Sequence, residues 1–554
     1  MMPCLHLLDR RWGGSFRLVL LLVSVVLIRF CLTPVAPHWL PFLAVAPFVL
    51  SLRGVGPLAG LSLGWLYGFS IWISAIWWVP TGFETMLGWP VAAARATGIF
   101  LCVYQGLPYA LYGLFCGWSH RRGLSSGPLF HALLLTLLIY LRPVLIPGSP
   151  AVTLHAWPLA IQTADLGGAD MVCLFLLVVN FLTADIIVHL RNTRAVLVKL
   201  AVVTVIVASL LGYGAWRLDH FHTLEETAPP GEFVSIASVQ PNLPIRGFDG
   251  MDRSGPYAGV LGTMVKITDK SVTDFVDTDL VVWPEVPRGI DCDCDDFTNS
   301  GVARIAGQVG APVMLDCIER DYGDNKQVTT TRRGRDGLEV SVTTRKIAAM
   351  YSAVWLISPE RCGPAYRKVK LIPFGERTPL RDIWPWLKKR VGRELEYSPG
   401  DGPSLITLRG DIHIQPLICY ESAFPSLTRR GVDMGADAFV NVSDDAWFVT
   451  AQASKLHLAT ALFRTVEMRR PLVSCTNSGF GAHIAATGEI IPQTLTPMYV
   501  STARQARLHC PREESIYSRG GYLWFWPAWL FVLIRLILVR FHGFSNKDWV
   551  NERG

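Results

Sequence analysis

Eight apolar runs constrain the fold of this chain more strongly than any other feature of its sequence. Most of them approach the roughly 20 residues that an α-helix needs to cross the hydrocarbon core of a bilayer. The second run is short and is also compatible with an interfacial hairpin. The runs lie near residues 18–32, 39–52, 55–79, 97–118, 127–147, 170–190, 195–216 and 521–540. The sequence therefore predicts a polytopic α-helical membrane domain at 1–220, with about seven transmembrane helices, and a C-terminal transmembrane helix at 520–541.

Composition supports membrane insertion and argues against nucleic acid as a partner. Of 554 residues, 51% are hydrophobic and only 17% are charged, which is too apolar for an ordinary soluble protein. The net charge of +7 is small for this length, and the basic residues are not gathered into runs with interleaved aromatic residues. The first apolar run lacks a small-residue cleavage site after it, so we interpret it as a retained span and not as a signal peptide.

The distribution of basic residues predicts the orientation of the chain. With a cytoplasmic N-terminus, the outer flanks of the runs hold Arg29, Arg95, Arg142 and Arg217. The inner flanks hold Arg10, Arg11, Arg17, Arg53, Arg121, Arg122, Arg191, Arg194, Lys199, Arg540, Lys547 and Arg553. This excess on the inner side satisfies the positive-inside rule. The long hydrophilic segment at 225–515 is then extracytoplasmic.

The hydrophilic segment has the length of one globular domain and the pattern of an α/β fold. Helix-like stretches near 300–308 and 455–469 separate several of its short β-type runs. The polar stretch 321–346 has neither a core periodicity nor a helix pattern, and we interpret it as an exposed hairpin or a mobile excursion. The β-type runs lie at 233–240, 280–285, 311–319, 352–358, 412–419 and 438–443.

Cysteines in the hydrophilic segment are candidates for disulfides, because thiols outside the cytoplasm can pair. Six are present besides Cys419, namely Cys292, Cys294, Cys317, Cys362, Cys475 and Cys510. Their pairing cannot be derived from the sequence. The motif "DCDCDD" at 291–296 lacks a His or a second Cys pair at a metal-binding spacing, so no metal site is predicted.

Three potentially reactive side chains follow β-type runs. Glu285 closes "LVVWPE", Lys368 lies in "YRKVKLIPFGE", and Cys419 ends "IHIQPLIC" at a strand-to-helix turn that favours the thiolate. Each has a plain structural alternative: a surface acid that ends a strand, a solvated basic turn, and a small buried hydrophobe. Their occurrence in this order in one α/β domain favours a catalytic interpretation.

The segments "WPE" at 283–285, "KVKLIPFGE" at 368–376 and "CYE" at 419–421 resemble the three catalytic segments of the nitrilase superfamily. Their position between seven predicted spans and one more is similar to that in the bacterial apolipoprotein N-acyltransferases. The resemblance extends over essentially the whole chain. It includes "QTADLGG" at 162–168, "VQPNLP" at 239–244, "NVSDDAWF" at 441–448, "HLATALFRTVEMRRPLV" at 457–473 and "TNSG" at 476–479.

This resemblance implies a nitrilase-like αββα sandwich at 225–515, located in the periplasm, and a multi-pass protein of the bacterial inner membrane. It implies transfer of a fatty acyl chain from a phospholipid to the free α-amino group of diacylglyceryl apolipoproteins. The implied reaction is ping-pong, with a thioester intermediate and no cofactor. The partners implied are the phospholipid donor, the apolipoproteins and the surrounding bilayer, and the chain is expected to act as a monomer.

The resemblance also assigns roles to individual residues. Glu285 matches the general base, Lys368 the oxyanion-stabilising lysine and Cys419 the nucleophile. Supporting positions in the active site match Glu376, Tyr420 and Glu421, and possible substrate contacts are Asn441, Trp447 and Phe248.

Three segments depart from the family pattern. Phe248 in "IRGFDGM" stands where a tryptophan is common, and the connector at 140–158 and the excursion at 321–346 are unusual. None of these departures affects Glu285, Lys368 or Cys419.

Two other functions are compatible with parts of the sequence. A membrane-tethered nitrilase-type amidase would use the same three residues on a soluble amide, but it would not need eight spans. A transporter with a periplasmic binding domain predicts symmetric repeats with interrupted spans, and the sequence shows no matching halves.

Overall fold

A computed structural model describes residues 13–537 apart from short internal gaps. The gaps are at 34, 125, 144, 147, 245–258, 287–289, 324–326, 334–338, 346, 380, 384–385, 387–395 and 449. For 86–87, 327–333, 339–345 and 410, only the backbone is described. Phe248, one of the predicted substrate contacts, therefore lies outside the described residues.

Helices occupy the chain as far as residue 227. They are α1 (Gly14–Cys31), α2 (Pro41–Ala44), α3 (Ala46–Ser51), α4 (Pro57–Ile76), α5 (Val79–Leu87), α6 (Val91–Gln105), α7 (Leu107–Arg121), α8 (Pro128–Leu141), α9 (Pro158–Ile161), α10 (Ala164–Gly167), α11 (Ala169–Val188) and α12 (Thr193–Thr227). Among the described residues, α1, α4, α11 and α12 are long and apolar enough to cross a membrane, and α6 with α7 forms a bent candidate. Shorter apolar helices cover Pro41–Ser51, Pro128–Leu141 and Phe525–Ile537. Each predicted apolar run contains helix, although 39–52 and 97–118 are each divided between two helices, and the count of eight spans stays a prediction.

Glycines let α4 and α7 pack backbone against backbone. A Cβ atom on Gly60 would lie 2.1 Å from the carbonyl oxygen of Gly113, and one on Gly64 would lie 2.1 Å from that of Tyr109. Gly60 and Gly64 share one face of α4 because they are four residues apart. Such small residues are typical of helix contacts in membranes, where close packing supplies much of the association energy.

The segment that follows α12 forms two β-sheets with helices on their outer faces. Its strands are β1 (Phe233–Gln240), β2 (Leu280–Val282), β3 (Val313–Asp321), β4 (Gln327–Arg333), β5 (Glu339–Arg345), β6 (Ala349–Ile357), β7 (Cys362–Arg367), β8 (Ile406–Thr407), β9 (His413–Ile418), β10 (Ala438–Ser443), β11 (Leu472–Thr476), β12 (Ala482–Ile484) and β13 (Thr502–His509). Its helices, continuing the numbering, are α13 (Gly259–Ser271), α14 (Cys294–Asn299), α15 (Val302–Val309), α16 (Pro425–Asp433) and α17 (Ala451–Met468). After it come α18 (Ile516–Gly520) and α19 (Phe525–Ile537).

The two sheets face each other across an apolar core. One sheet has the strand order β13-β1-β2-β3-β6-β7, and the other has the order β12-β11-β10-β9-β8. Ile236 and Val282 from the first sheet share a buried cluster with Ile418 and Val442 from the second. On the outer faces, α13 and α15 pack against the first sheet, and α16 and α17 pack against the second. This is the predicted αββα sandwich, and the predicted fold class is confirmed.

The predicted strands are all present, and the polar excursion at 321–346 contains a hairpin. Strands β4 and β5 pair antiparallel, from Gln327 opposite Arg345 to Arg333 opposite Glu339. The hairpin is inserted between β3 and β6, which themselves pair antiparallel. It therefore extends an existing strand connection and leaves the sandwich topology unchanged.

Buried ion pairs join the helical region to the sandwich. Arg469 follows α17 in the left-handed conformation (φ 51°), and its guanidinium lies 2.5 Å from the Asp165 carboxylate. It also donates to Gln162 Oε1 at 2.8 Å, while Arg217 Nε lies 2.9 Å from Asp165. Removal of one partner would leave an uncompensated buried charge, which is strongly destabilising. The motif "QTADLGG" therefore lies at the contact between the two regions.

Two disulfides form among the described cysteines of the hydrophilic segment. Cys292 pairs with Cys317, and Cys294 pairs with Cys362, so the "DCDCDD" motif carries disulfides. Cys475 and Cys510 are buried free thiols. The disulfides tie the chain that follows Glu285 to β3 and to the start of β7.

Candidate active site

Glu285 lies at the base of a loop that leaves and then rejoins the first sheet. The loop begins after β2, where the Trp283 amide donates to the Met314 carbonyl at 2.8 Å. The chain returns to β3 where the Cys292 amide donates to the Ile318 carbonyl at 3.1 Å, beside the Cys292–Cys317 disulfide. Pro284 cannot donate to a ladder, which favours departure from the sheet at this point. Glu285 is thereby held at the carboxyl end of a buried strand, as predicted.

Cys419 follows β9 in the left-handed region, with φ 53°. A non-glycine residue there carries a backbone strain on the order of 1–2 kcal/mol. The buried Glu421 carboxylate stabilises the turn by accepting from the Ile418 amide at 2.9 Å. It also accepts from the Val369 amide and the Tyr366 hydroxyl, both at 2.7 Å. Glu421 therefore fastens the turn that carries Cys419 to the segment that carries Lys368.

Lys368 is completely buried directly after β7. Its Nζ lies 2.5 Å from Glu376 Oε1, and the second oxygen of Glu376 accepts from the Ile372 amide at 2.8 Å. Its backbone amide donates to the Ser352 carbonyl at 2.9 Å. The ammonium group is thus held by a carboxylate that is itself fixed by the turn at 372–376.

Burial and mutual charge interactions shift the pKa values of all three predicted catalytic residues. Burial raises the pKa of Glu285, and Lys368 opposes that shift. Burial raises the pKa of the Cys419 thiol well above its usual range, with Glu285 adding to the shift. For Lys368, burial alone would lower the pKa, but Glu376 and Glu285 outweigh it and raise the pKa well above the usual range. Burial therefore favours the neutral thiol of Cys419, and the neighbouring carboxyl groups favour the protonated form of Lys368.

Two further carboxyl groups, from Asp316 and Asp444, lie in the same site, and sequence reasoning missed both. Asp316 accepts from the Ser352 hydroxyl at 3.2 Å, and burial followed by the charge of Glu285 raises its pKa well above the usual range. The backbone amide of Asp444 donates to Glu285 Oε2 at 3.3 Å. Burial, followed by Glu285, raises the pKa of the Asp444 carboxyl to about 8. The "DDAWF" motif was the available signal for Asp444, whereas Asp316 had none.

A histidine supports the backbone of the nucleophile. His457 Nδ1 lies 2.9 Å from Asp445 Oδ1, and its Nε2 lies 3.0 Å from the Cys419 carbonyl oxygen. Because both partners are acceptors, this arrangement favours the doubly protonated imidazolium. Burial alone would lower the pKa of His457, but Asp445 outweighs it and raises the pKa. Both residues lie in motifs that carry the family resemblance, which assigned them no role.

A cavity of about 450 Å³ connects these groups to the helical region. Glu285, Glu376, Cys419 and Asp444 line it on the sandwich side, together with Trp447 and other apolar side chains. The helical region contributes Trp78, Val79, Gly82, Phe83, Leu101, Leu145 and Ile146. One wall of the cavity is therefore built from apolar side chains of the membrane domain.

The segment at 140–158, which departs from the family pattern, contributes to this wall. Leu145 and Ile146 line the cavity, and the Tyr420 hydroxyl donates to the Leu145 carbonyl at 2.9 Å. On the opposite side, Trp447 packs edge-on to Trp78, with 5.9 Å between ring centroids. A Cβ atom on Gly82 would lie 3.0 Å from the Trp447 ring, so glycine there permits the close approach.

The structure brings together most of the residues predicted from the sequence. Glu285, Glu376, Cys419, Tyr420 and Trp447 line the cavity, and Lys368 and Glu421 lie directly behind it. Asn441 is different: it is fully buried within β10 and is not among the described residues that line the cavity. Its amide has no hydrogen-bond partner in the described part of the chain, and we have no physical account of that.

The sandwich is the fold of the carbon-nitrogen hydrolase class, and residues 236–510 match the sequence model of the carbon-nitrogen hydrolase family. A second family, described as the apolipoprotein N-acyltransferase N-terminal domain, matches residues 24–182. The chain belongs to the apolipoprotein N-acyltransferase family. It is an acyltransferase and a membrane protein, which confirms the resemblance and the enzyme class inferred from the sequence.

Relatives named apolipoprotein N-acyltransferase match most of the chain. The chain is 25% identical to an apolipoprotein N-acyltransferase from Bdellovibrio bacteriovorus, with 86% of this chain and 84% of the relative covered. It is 26% identical to one from Vibrio vulnificus, with 91% and 93% covered. A carbon-nitrogen hydrolase structure from Helicobacter pylori is 12% identical, with a TM-score of 0.34 and with 53% of this chain and 94% of that chain covered.

Proposed function

We propose that this enzyme transfers a fatty acyl chain from a phospholipid to the free α-amino group of the S-diacylglyceryl-cysteine that begins an apolipoprotein. The acyl chain passes through a thioester on Cys419, in the last step of lipoprotein maturation. One observation carries the proposal. The cavity that exposes Cys419 and Glu285 is walled on its other side by apolar residues of the membrane domain, among them Trp78 and Leu101. A lipid acyl chain is the substrate that such a wall would accommodate.

In the first half-reaction, Cys419 attacks the ester carbonyl of the phospholipid. The thiol and Glu285 line the same cavity and interact electrostatically, and Glu285 takes the thiol proton as the bond to carbon forms. Glu285 then delivers that proton to the leaving glycerol oxygen, and the lysophospholipid departs. Because the pKa of the Cys419 thiol is raised, the thiol does not ionise on its own near neutral pH. The proton transfer from the thiol to Glu285 is therefore needed.

In the second half-reaction, the amine attacks the thioester and Cys419 leaves as a thiolate. Both halves pass through a tetrahedral oxyanion, and we assign its stabilisation to the Lys368 ammonium. A donor of this kind contributes about 3 kcal/mol to the stabilisation of a transition state. The ion pair with Glu376 keeps Lys368 charged and oriented throughout.

The apolar walls also bear on the competing function, that of an amidase. A thioester is attacked by water as well as by an amine, so a transferase must keep water away from the acyl-enzyme. Trp78, Phe83, Trp447 and Phe448 surround the cavity with aromatic surface. This enclosure favours a transferase over a hydrolase that acts on soluble amides.

The proposal is tested by stopping the reaction halfway. Purified enzyme given phospholipid and no lipopeptide should gain a fatty-acyl mass on the peptide that contains Cys419, and neutral hydroxylamine should remove it. Cys419→Ala should show no such adduct. A diacylated lipopeptide with a free N-terminus should discharge the wild-type adduct and yield a triacylated product, detected by mass spectrometry.

A lipopeptide with an acetylated N-terminus is the matched control, because its amide nitrogen is not nucleophilic. It should leave the adduct intact. Decay of the adduct to free fatty acid at one rate, with or without the free lipopeptide, would make water the acceptor and replace the transferase by a hydrolase.

We further propose that the sandwich lies on the periplasmic side of the bacterial inner membrane. The positive-inside distribution supports this orientation. A reporter fused after Trp216 or within 321–346 should be extracytoplasmic, and one fused after Arg122 should be cytoplasmic. The reverse pattern, measured with a reporter pair active on opposite sides of the membrane, would contradict the orientation and the phospholipid leaflet it implies.

A further inference from the structure

Asp444 lines the cavity, and one of its carboxylate oxygens has no hydrogen-bond partner among the described residues. The residue is 2% exposed and lines the cavity beside Glu285. Its Oδ1 accepts from the Ala446 amide and from the Asn477 side chain, both at 3.0 Å. Its Oδ2 is buried and has no hydrogen-bond partner among the residues that the structure describes. One oxygen thus anchors the carboxyl group, and the other is left without a donor from the described part of the protein.

The neighbouring Asp445 lacks such an open oxygen. Its Oδ1 contacts His457 at 2.9 Å, and its Oδ2 accepts from the Ser454 hydroxyl at 2.6 Å. The two aspartates of the "DDAWF" motif therefore differ. Both oxygens of Asp445 contact other protein groups, whereas one oxygen of Asp444 is a hydrogen-bond acceptor without a partner in the described protein. A buried carboxylate oxygen with no protein donor can be satisfied by a donor that a ligand supplies.

The second half-reaction of the proposed function calls for two proton acceptors. An α-ammonium group must lose one proton before it can attack, and the nitrogen must lose another when the amide forms. Glu285 can hold only one proton at a time. We propose, resting on the acyl-transfer function above, that Asp444 binds the incoming α-ammonium group and takes its first proton, leaving Glu285 to take the second.

The protons balance in this scheme. The ammonium group passes one proton to Asp444, and the resulting amine attacks the thioester carbon to form the tetrahedral intermediate. As the carbon–sulfur bond breaks, Glu285 takes the second proton from nitrogen and transfers it to the Cys419 thiolate. The products are the amide, the neutral thiol and protonated Asp444, which releases its proton to solvent before the next cycle.

The pKa of Asp444 matches this role. Burial and the charge of Glu285 raise it to about 8, close to the ~7.7–8.0 of an α-amino group, so the transfer is nearly balanced in free energy. The positive charge of the arriving ammonium favours the ionised carboxylate. Other ionisable groups that line or lie directly behind the cavity are Glu285, Asp316, Lys368, Glu376, Tyr397, Cys419, Tyr420, Glu421, Asp445 and His457.

Asp444→Asn tests the proposal because the amide keeps the size of the side chain and an oxygen for Ala446. The variant should still form the Cys419 adduct, since the first half-reaction does not involve an ammonium group. Discharge of that adduct onto the free lipopeptide should slow by on the order of 100-fold, the usual effect of losing a general base. Neutral hydroxylamine arrives unprotonated, and it should discharge the variant and the wild type at similar rates.

A pH series separates this role from a structural one. Between pH 7 and pH 9, the free-amine fraction of a group with a pKa near 8 rises about tenfold, so the deficit of Asp444→Asn should shrink about tenfold. Equal lipopeptide discharge in variant and wild type would overturn the proposal. The proposal would also be overturned if Asp444→Asn slowed the discharge by hydroxylamine as much as the discharge by lipopeptide, or if the slower discharge did not depend on pH. It would likewise be overturned if the variant formed no adduct. Failure of the wild type to form an adduct would instead contradict the proposed function.

Discussion

Glu285→Gln should reduce formation of the Cys419 adduct by on the order of 100-fold or more, the range expected for loss of a general base. Glutamine keeps the size of the side chain and an oxygen to accept from the Asp444 amide, but it cannot take a proton from the thiol. Burial raises the pKa of that thiol well above its usual range, so little thiolate forms without the base. The rate of the fatty-acyl mass gain on the Cys419 peptide measures the effect.

Glu319→Gln is the matched control for this substitution. Glu319 lies in β3 outside the cavity and pairs with Arg367 at 2.5 Å, in contact with solvent. Glutamine keeps the size of the side chain and one acceptor oxygen for the Arg367 guanidinium, and position 319 does not line the cavity, so adduct formation should change by no more than a few-fold. Adduct formation by Glu285→Gln at the wild-type rate would remove Glu285 from the first half-reaction, even if lipopeptide transfer were lost.

The pH dependence of adduct formation follows from the same group. Glu285 is active as the carboxylate, and burial raises its pKa. The wild-type rate should therefore fall as pH falls through a value above about 4.3, the usual pKa of a glutamate. If the rate of adduct formation fell only at or below about pH 4.3, the base would not be the buried Glu285 carboxylate.

Much of the sandwich could be predicted from the sequence because its signals are local. Continuous β-type runs such as 233–240 and 438–443 became β1 and β10 with the predicted bounds. Glu285 and Lys368 follow β2 and β7 of the first sheet, which run in the same direction, and Cys419 follows β9 of the second sheet. The two facing sheets bring the three residues to one end of the sandwich. Their meeting in one site is therefore a consequence of topology that the sequence already indicates.

Other parts of the site depend on contacts between distant segments, which no local pattern encodes. Asp316 lies within β3, lines the cavity and accepts from the hydroxyl of Ser352, which is 36 residues further along the chain. Leu145 enters the wall through a contact with Tyr420, 275 residues further along the chain. Asn441 differs from these residues, since the family resemblance of its segment suggested a substrate contact, but the side chain is fully buried within β10 and is not among the described residues that line the cavity.

The pairing of the cysteines is a third feature that could not be predicted from the sequence. Six cysteines besides Cys419 were available, and an even number was compatible with three bonds, but Cys475 and Cys510 are free thiols in separate buried positions. Pairing depends on the distance between Cα atoms, which is 5.2 Å for Cys292 and Cys317. That distance is set by the return of the Glu285 loop to β3, a tertiary feature.

Lys368→Arg should reduce lipopeptide transfer by on the order of 100-fold or more, the effect of losing one oxyanion donor, although it preserves the positive charge. Lys368 is 0% exposed, and its compact ammonium lies 2.5 Å from Glu376. The wider planar guanidinium spreads its charge over a fork and needs space that this buried position does not have. Transfer is measured as the rate of formation of the triacylated lipopeptide.

Lys370→Ala is the control two residues away. Lys370 is exposed, its Nζ lies 5.7 Å above the Phe424 ring, and its link to Glu421 is made by the backbone amide, which alanine retains. An exposed cation–π contact is worth about 0.5–1 kcal/mol, so transfer should fall by only a few-fold. If Lys368→Arg were tolerated and Lys370→Ala were inactive, the oxyanion-stabilising charge would belong to Lys370 and the assignment in the "KVKLIPFGE" segment would be wrong. The thermal unfolding midpoint of each variant is the stability control. A variant that has lost only transition-state stabilisation keeps the wild-type midpoint, whereas a variant that is inactive because it unfolds has a lower one.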